Sequence, residues 1–269
     1  RNIYIMNINI TANLLNKDHI KYLFSIFENN NAEIRLVGGC IRDLFLNKES
    51  KDIDTATVIE PNEVLELLIN NNIEYDDFAM QYGSLIAYPL DQKVQITTLR
   101  EDINQIGRHT NVIYTTSWEK DAARRDFTFN AMYLGSNNKL YDYYNGKEDL
   151  VEKKIRFIGE IEERIKEDYL RIFRYFRFLG LFELPNIILK DQKIVEKYIH
   201  ESLLILTNDM IRQEVLKMFN MPYALNCFNK SHQTYIKFKW VEIIKEHFIR
   251  TNYELGLNKC LNKIDNIIN

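Results

Sequence analysis

The hydrophobic period of this sequence changes once along its length, and that change limits the folds open to the chain. Before about residue 121, short apolar runs of strand length alternate with helical stretches. Residues 16–30 read as an amphipathic helix with Ile20, Leu23, Phe24 and Phe27 on one face. A strand over residues 34–37 breaks at Gly38-Gly39 and leads into a short helix over 41–46, followed by a strand over 51–58. Pro61 then opens a helix carrying Val64, Leu65, Leu67 and Leu68. Two strand-like runs, 84–88 and 94–99, flank a Pro89-Leu90-Asp91 turn, and the polar stretch 100–116 reads as a mobile loop with a short strand inside it. Beyond Ile161 the pattern is almost wholly helical. Strands mixed with helices first, and helices alone afterwards, predict an α+β fold: a mixed sheet with flanking helices followed by an all-α region.

Composition removes several classes of function. With 269 residues, 46% of them hydrophobic and 27% charged, the chain has the balance of a folded domain or two rather than of a disordered segment. Its formal charge of −3 gives no global attraction to nucleic acid, so any RNA contact must come from locally clustered arginines and lysines. Cys40, Cys227 and Cys260 have neither zinc-ligand nor redox-motif spacing, which predicts a reduced, cytoplasmic protein. The sequence contains no apolar run of the roughly eighteen residues that a membrane span needs. It opens on Arg1, not Met, and is expected to be a fragment or a shortened form of something longer.

Four segments carry recognisable chemistry. In Leu36-Val37-Gly38-Gly39-Cys40-Ile41-Arg42-Asp43, two glycines end a strand and let backbone approach a phosphate, the next helix offers N–H groups, and Arg42 adds a charged fork. In Asp52-Ile53-Asp54, residues i and i+2 of a strand share a face, so two carboxylates converge where they can hold divalent ions while Ile53 turns inward. An isolated Asp-x-Asp is more often an exposed acidic turn; following a Gly-Gly turn, ten residues after Arg42, the metal-binding reading prevails. Arg124-Arg125-Asp126-Phe127-Thr128-Phe129-Asn130-Ala131 precedes an apolar strand or helix start, with Asn130 expected to reach a ribose hydroxyl. In the stretch 167–178, Asp168, Arg171, Arg174 and Arg177 recur every three residues, which on a helix gives them a common face.

Taken in order, these segments resemble motifs A, B and D of the class II tRNA nucleotidyltransferases and poly(A) polymerases, in the polymerase-β-like superfamily. Thr207-Asn208-Asp209-Met210-Ile211-Arg212-Gln213-Glu214 is similar to the family's motif E, with Met210 where that motif usually has arginine. The resemblance covers residues 33 to 220. It implies a nucleotidyltransferase head over 1–150, a nucleotide-selecting helical neck over 151–220 and a partial helical body over 221–269, the C-terminal part being shortened. The activity implied is template-independent addition of C and A to the tRNA 3′ end from CTP and ATP, with release of pyrophosphate. By the same resemblance Asp52 and Asp54 bind two Mg²⁺, Gly39 and Arg42 cradle the triphosphate, and Arg125 contacts the nucleotide. Asp168 and Arg171 read the base edge, and Arg174 and Arg177 complete the pocket or hold phosphates. The segment 100–116, with Gly107-Arg108-His109, matches the family's flexible loop, whose presence favours addition of the terminal adenosine. Gln95 stands where relatives often carry a glutamate, leaving Glu101 and Asp102 as remote candidates for a third carboxylate. The alternatives are a poly(A) polymerase, an A-adding half-enzyme, and a truncated RNA-binding remnant without catalysis; the oligomeric state stays open.

Overall fold

The computed structural model describes residues 2–5, 14–50, 52–106, 109–229 and 238–251. These residues divide into two compact units, one running to Gln105 and again from His109 to Val151, the other holding Ile106 and the described residues from Glu152 onward.

The first unit begins with β1 (Asn2–Ile5), α1 (Asp18–Asn29), β2 (Ile34–Val37), α2 (Gly39–Phe45) and β3 (Asp54–Thr57). It continues through α3 (Pro61–Asn70), β4 (Tyr75–Asp76), β5 (Ser84–Ala87), β6 (Val94–Thr98), β7 (Arg100–Ile106), β8 (His109–Tyr114), α4 (Trp118–Ala123), β9 (Met132–Gly135), β10 (Lys139–Asp142) and α5 (Gly146–Val151). Eight of the strands form one mixed sheet in the order β1-β10-β9-β2-β3-β6-β5-β4. Only β3 and β6 run parallel, and their register sets Asp54 beside Gln95. All four residues of β2 and of β9 are buried, as befits central strands covered on both faces. The predicted face of α1 is the one that is buried: Ile20, Leu23, Phe24 and Phe27. α3 starts where Pro61 predicts, secured by a capping box in which the Glu60 N–H donates to the Glu63 carboxylate at 2.9 Å.

Three details depart from expectation. The helix after the glycine turn starts at Gly39, because Gly38 has already turned the chain with φ +77°. The strand carrying the carboxylates starts only at Asp54; Asp52 lies in the preceding bend, where its carbonyl accepts the Ser50 hydroxyl at 2.9 Å. The polar stretch beyond residue 100 is a two-stranded ribbon of β7 and β8, not a loop around one short strand; its Gly107 and Arg108 lie outside the described residues.

The second unit is helical, as the change of period predicts: α6 (Ile161–Glu167), α7 (Leu170–Leu179), α8 (Leu189–Lys197), α9 (Ile199–Ile205), α10 (Asn208–Phe219) and α11 (Lys239–Arg250). Its core is aromatic. Phe176 lies 5.0 Å from Phe238 and 5.5 Å from Trp240 between ring centroids, and Trp240 also meets Phe173 edge-on at 6.0 Å. Each such buried ring contributes about 2–3 kcal/mol by leaving water. Among the described residues no helix is long and apolar enough to cross a membrane.

Candidate active site

The Gly38-Gly39 turn sits under two guanidinium groups. A Cβ built on Gly38 would stand 3.6 Å from Arg125 Nη1 and 3.6 Å from the Asn130 carbonyl oxygen, and one on Gly39 would stand 3.6 Å from Arg42 Nη2. With φ in the left-handed region, Gly38 is also a position where any side chain is strained. Arg42 is held from two sides. Its Nε and Nη2 donate to Asp43 Oδ1 at 3.0 and 2.8 Å, and its Nη1 donates to Asn130 Oδ1 at 3.0 Å.

Asp52 and Asp54 line one open pocket together with Ile53, Lys93 and Gln95. Ile53 is buried between them, so the two carboxylates keep a common side even though Asp52 precedes the strand. Burial pushes the Asp54 carboxyl above its ordinary value and the Asp52 charge adds to this, while Arg125, Lys93 and Arg42 oppose it. Asp54 therefore feels all three cations at once. Among the described residues no group of three or more His, Cys, Asp or Glu side chains is arranged to hold a metal. Two carboxylates nevertheless suit Mg²⁺, a hard cation that keeps several waters and takes its remaining oxygens from substrate phosphates. Asp52 and Asp54 would hold it here. Of the remote carboxylates, Glu101 is paired with Lys120 at 3.0 Å, and the Asp102 side chain lies outside the described residues.

Arg125 belongs to a buried network that the sequence reading missed. Its Nη2 donates to Asp121 Oδ2 at 3.0 Å and its Nε to the Tyr133 hydroxyl at 3.2 Å; that hydroxyl in turn donates to Asp121 Oδ2 at 2.7 Å. Arg124 takes the other oxygen of Asp121 at 2.8 Å. Burial works against the charge on Asp121, but Arg125, Arg124 and the Tyr133 hydroxyl outweigh it and hold the carboxyl well below the usual range. The available signal was the i,i+4 spacing of Asp121 and Arg125, which brings two side chains together on one helical turn. Lys93, which immediately precedes β6, lines the same pocket as Gln95 and was also missed.

In the helical unit the four polar residues of the 168–177 series do not form one solvated helix face. Asp168 is extended, between α6 and α7, and its carboxylate accepts the Leu170 N–H at 3.0 Å. The capping propensity of aspartate explains the break: the side chain satisfies the start of α7. Arg171 is buried, with Nη1 donating to the Arg164 carbonyl at 2.8 Å and to Glu167 Oε2 at 2.6 Å. Arg174 is half-buried, its guanidinium 5.6 Å from the Phe178 ring centroid. Arg177 donates to the buried Glu214 at 2.8 Å, tying α7 to α10. Met210 falls in the first turn of α10, where its N–H is capped by Thr207.

A mixed sheet that presents a glycine turn, a carboxylate pair and two arginines, with a helical region following, is the arrangement the resemblance to polymerase-β-like nucleotidyltransferases leads one to expect. Residues 34–156 match the poly A polymerase head domain. The human mitochondrial CCA tRNA nucleotidyltransferase 1 is 45% identical over 168 residues, 60% of this chain and 37% of that protein. The CCA-adding enzyme of Staphylococcus aureus is 32% identical over 213 residues, 75% of this chain and 52% of that protein. The crystal structure of the Bacillus stearothermophilus CCA-adding enzyme in complex with CTP has the same fold, with a TM-score of 0.69 at 24% identity over 79% of this chain and 51% of that one. Over its head region the chain thus resembles the class II CCA-adding enzymes and poly(A) polymerases, and it spans between about a third and a half of the length of these relatives.

Proposed function

We propose that this chain adds C and A to the 3′ end of tRNA without a nucleic-acid template, using CTP and ATP and releasing pyrophosphate. The observation that carries the reading is the electrostatic meeting of the Asp52–Asp54 pair with Arg42 and Arg125 around the Gly38-Gly39 turn. It is supported by relatives that bear the name CCA tRNA nucleotidyltransferase or CCA-adding enzyme.

In this reading Gly39 lets the triphosphate approach the backbone, Arg42 and Arg125 hold its oxygens, and the 3′-hydroxyl of the RNA attacks the α-phosphate in line. Asp52 and Asp54 hold two Mg²⁺. Bound there, the metal would supply acidification of the attacking hydroxyl and neutralisation of the departing pyrophosphate. Asp168 and Arg171 supply an acceptor and a donor fork to the base edge. Cytosine and adenine both present an exocyclic amine beside a ring-nitrogen acceptor, whereas guanine and uracil leave the pair unmatched. Arg174 and Arg177 complete that pocket or hold phosphates. The proposed division is a catalytic head over 1–150, a selecting neck over 151–220 and a helical body over 221–269. The cytoplasm is the proposed compartment, in keeping with the free buried thiols of Cys40 and Cys227.

The test supplies Mg²⁺ and tRNAs ending at the discriminator base, after C, or after CC, with each labelled nucleotide alone and together. Incorporation of CTP and then ATP, stopping at CCA, is the expected result. ATP added only to the CC end would instead mean an A-adding half-enzyme, and long A tails a poly(A) polymerase. No incorporation by a folded protein would overturn the proposal.

A further inference from the structure

Asn130 was expected to face a ribose, but its side chain is occupied within the head: it is 7% exposed and sits between Arg42 and Asp126. Its Nδ2 donates to Asp126 Oδ1 at 3.0 Å, and its Oδ1 accepts from Arg42 Nη1 at 3.0 Å. The chemistry of the neighbours fixes which way the amide points. An ionised carboxylate only accepts and a guanidinium only donates, so a flipped amide would face donor with donor and acceptor with acceptor. Asp126 is anchored in turn by the Phe127 N–H at 2.8 Å, and the Asn130 carbonyl oxygen lies 3.6 Å from where a Cβ on Gly38 would stand.

We propose that Asn130 is a positioning residue for triphosphate binding: oriented by Asp126, it holds the Arg42 guanidinium over the Gly38-Gly39 turn. This rests on the nucleotidyltransferase reading above. Asp43 grips the Nε–Nη2 edge of Arg42, and the Asn130 side-chain carbonyl restrains the guanidinium at Nη1, so that rotation about the Asp43 contact is opposed. A guanidinium fixed at both ends meets an incoming phosphate with little conformational entropy left to lose.

The experiment measures nucleotide KM, kcat and the inhibition constant of inorganic tripolyphosphate for the full chain and its Asn130→Ala variant. About a tenfold rise in both KM and the tripolyphosphate constant is expected, with kcat within about threefold of the parent. In an Arg42→Ala background the same substitution is expected to add less than about twofold, because its effect passes through Arg42. Asn130→Asp keeps the size of the side chain but sets a full carboxylate against Arg42, so it too is expected to weaken tripolyphosphate. Unchanged tripolyphosphate inhibition in a folded variant, or additive losses with Arg42→Ala, would overturn the inference. If the parent chain itself incorporates no nucleotide, it is the broader reading that falls; tripolyphosphate binding measured by calorimetry then still decides the role of Asn130.

Discussion

Asp121 is 1% exposed and accepts hydrogen bonds from Arg124, Arg125 and Tyr133, so one carboxylate fixes the position of the arginine beside Gly38. Asp121→Asn keeps the shape and removes the charge, leaving the half-buried Arg125 guanidinium against a neutral amide. The expected cost is about 3–5 kcal/mol of stability at neutral pH. Because the folded-state pKa of Asp121 is depressed, its contribution is complete above the unfolded value of 3.8 and is lost as pH falls through the folded one. Urea melts should therefore show parent and variant far apart at pH 7 and converging as pH falls below 3.8; a gap of constant size would remove the charge from the explanation. Gly146 makes a steric prediction of the same kind. Its N–H is pinned to Asp142 at 2.8 Å, and a Cβ would lie 2.3 Å from the Thr128 carbonyl oxygen. Gly146→Ala is expected to destabilise by at least about 1–3 kcal/mol in the same melts. Gly146 was not legible as important from the chain alone, since a packing partner reached through folding leaves no local pattern; Asp121 left only its spacing to Arg124 and Arg125. That Asp52 and Asp54 share a pocket was legible because the two stand two residues apart in sequence.

At the level of elements, helices with one apolar face declared themselves, as α1 did through Ile20, Leu23, Phe24 and Phe27. The strands β9 and β10 did not. Met132–Gly135 is buried on both faces, so it shows no alternation, and periodicity does not separate such a run from a buried helix. The kink at Asp168 was hidden for another reason: three-residue spacing of charge looks continuous, and only the capping hydrogen bond to Leu170 reveals the break. Register between elements matters for the carboxylate pocket proposed to take the metal. β6 runs parallel to β3 and places Gln95 against Asp54, in a pocket whose charged lining is two carboxylates and one ammonium. Gln95→Glu adds a third carboxylate there. Divalent affinity measured by Mn²⁺ titration without nucleotide is expected to rise about tenfold, since charge count sets affinity in such oxygen sites. No change would place residue 95 outside the reach of the ion. Between helices, Glu214 joins α7 to α10 through Arg177 and is held ionised by Arg177 and Lys217 against the effect of burial.

For the molecule as a whole, charge limits how the proposed RNA substrate would be gripped. The chain carries 35 Lys and Arg against 38 Asp and Glu, and several of the arginines that the resemblance places at the nucleotide already face protein carboxylates: Arg42 faces Asp43, Arg171 faces Glu167 and Arg177 faces Glu214. Long-range attraction to a polyanion is therefore weak, and phosphate contacts must come from a small local set. Each phosphate neutralised releases counterions, so the logarithm of the binding constant falls with the logarithm of salt by roughly 0.7 to 0.9 per contact. For this 269-residue chain the expected slope with tRNA is shallow, about −2 to −3, corresponding to roughly three or four phosphates. Nucleotide selection should be nearly independent of salt over the same range, because hydrogen bonds to a base edge release no counterions. Filter binding across a salt series, with CTP and ATP incorporation followed in parallel, checks both. A slope steeper than about −6 would mean an extended basic surface that the distribution of charge along this chain does not foretell. Selection that collapsed with rising salt would mean that the base is held through its phosphates and not through Asp168 and Arg171.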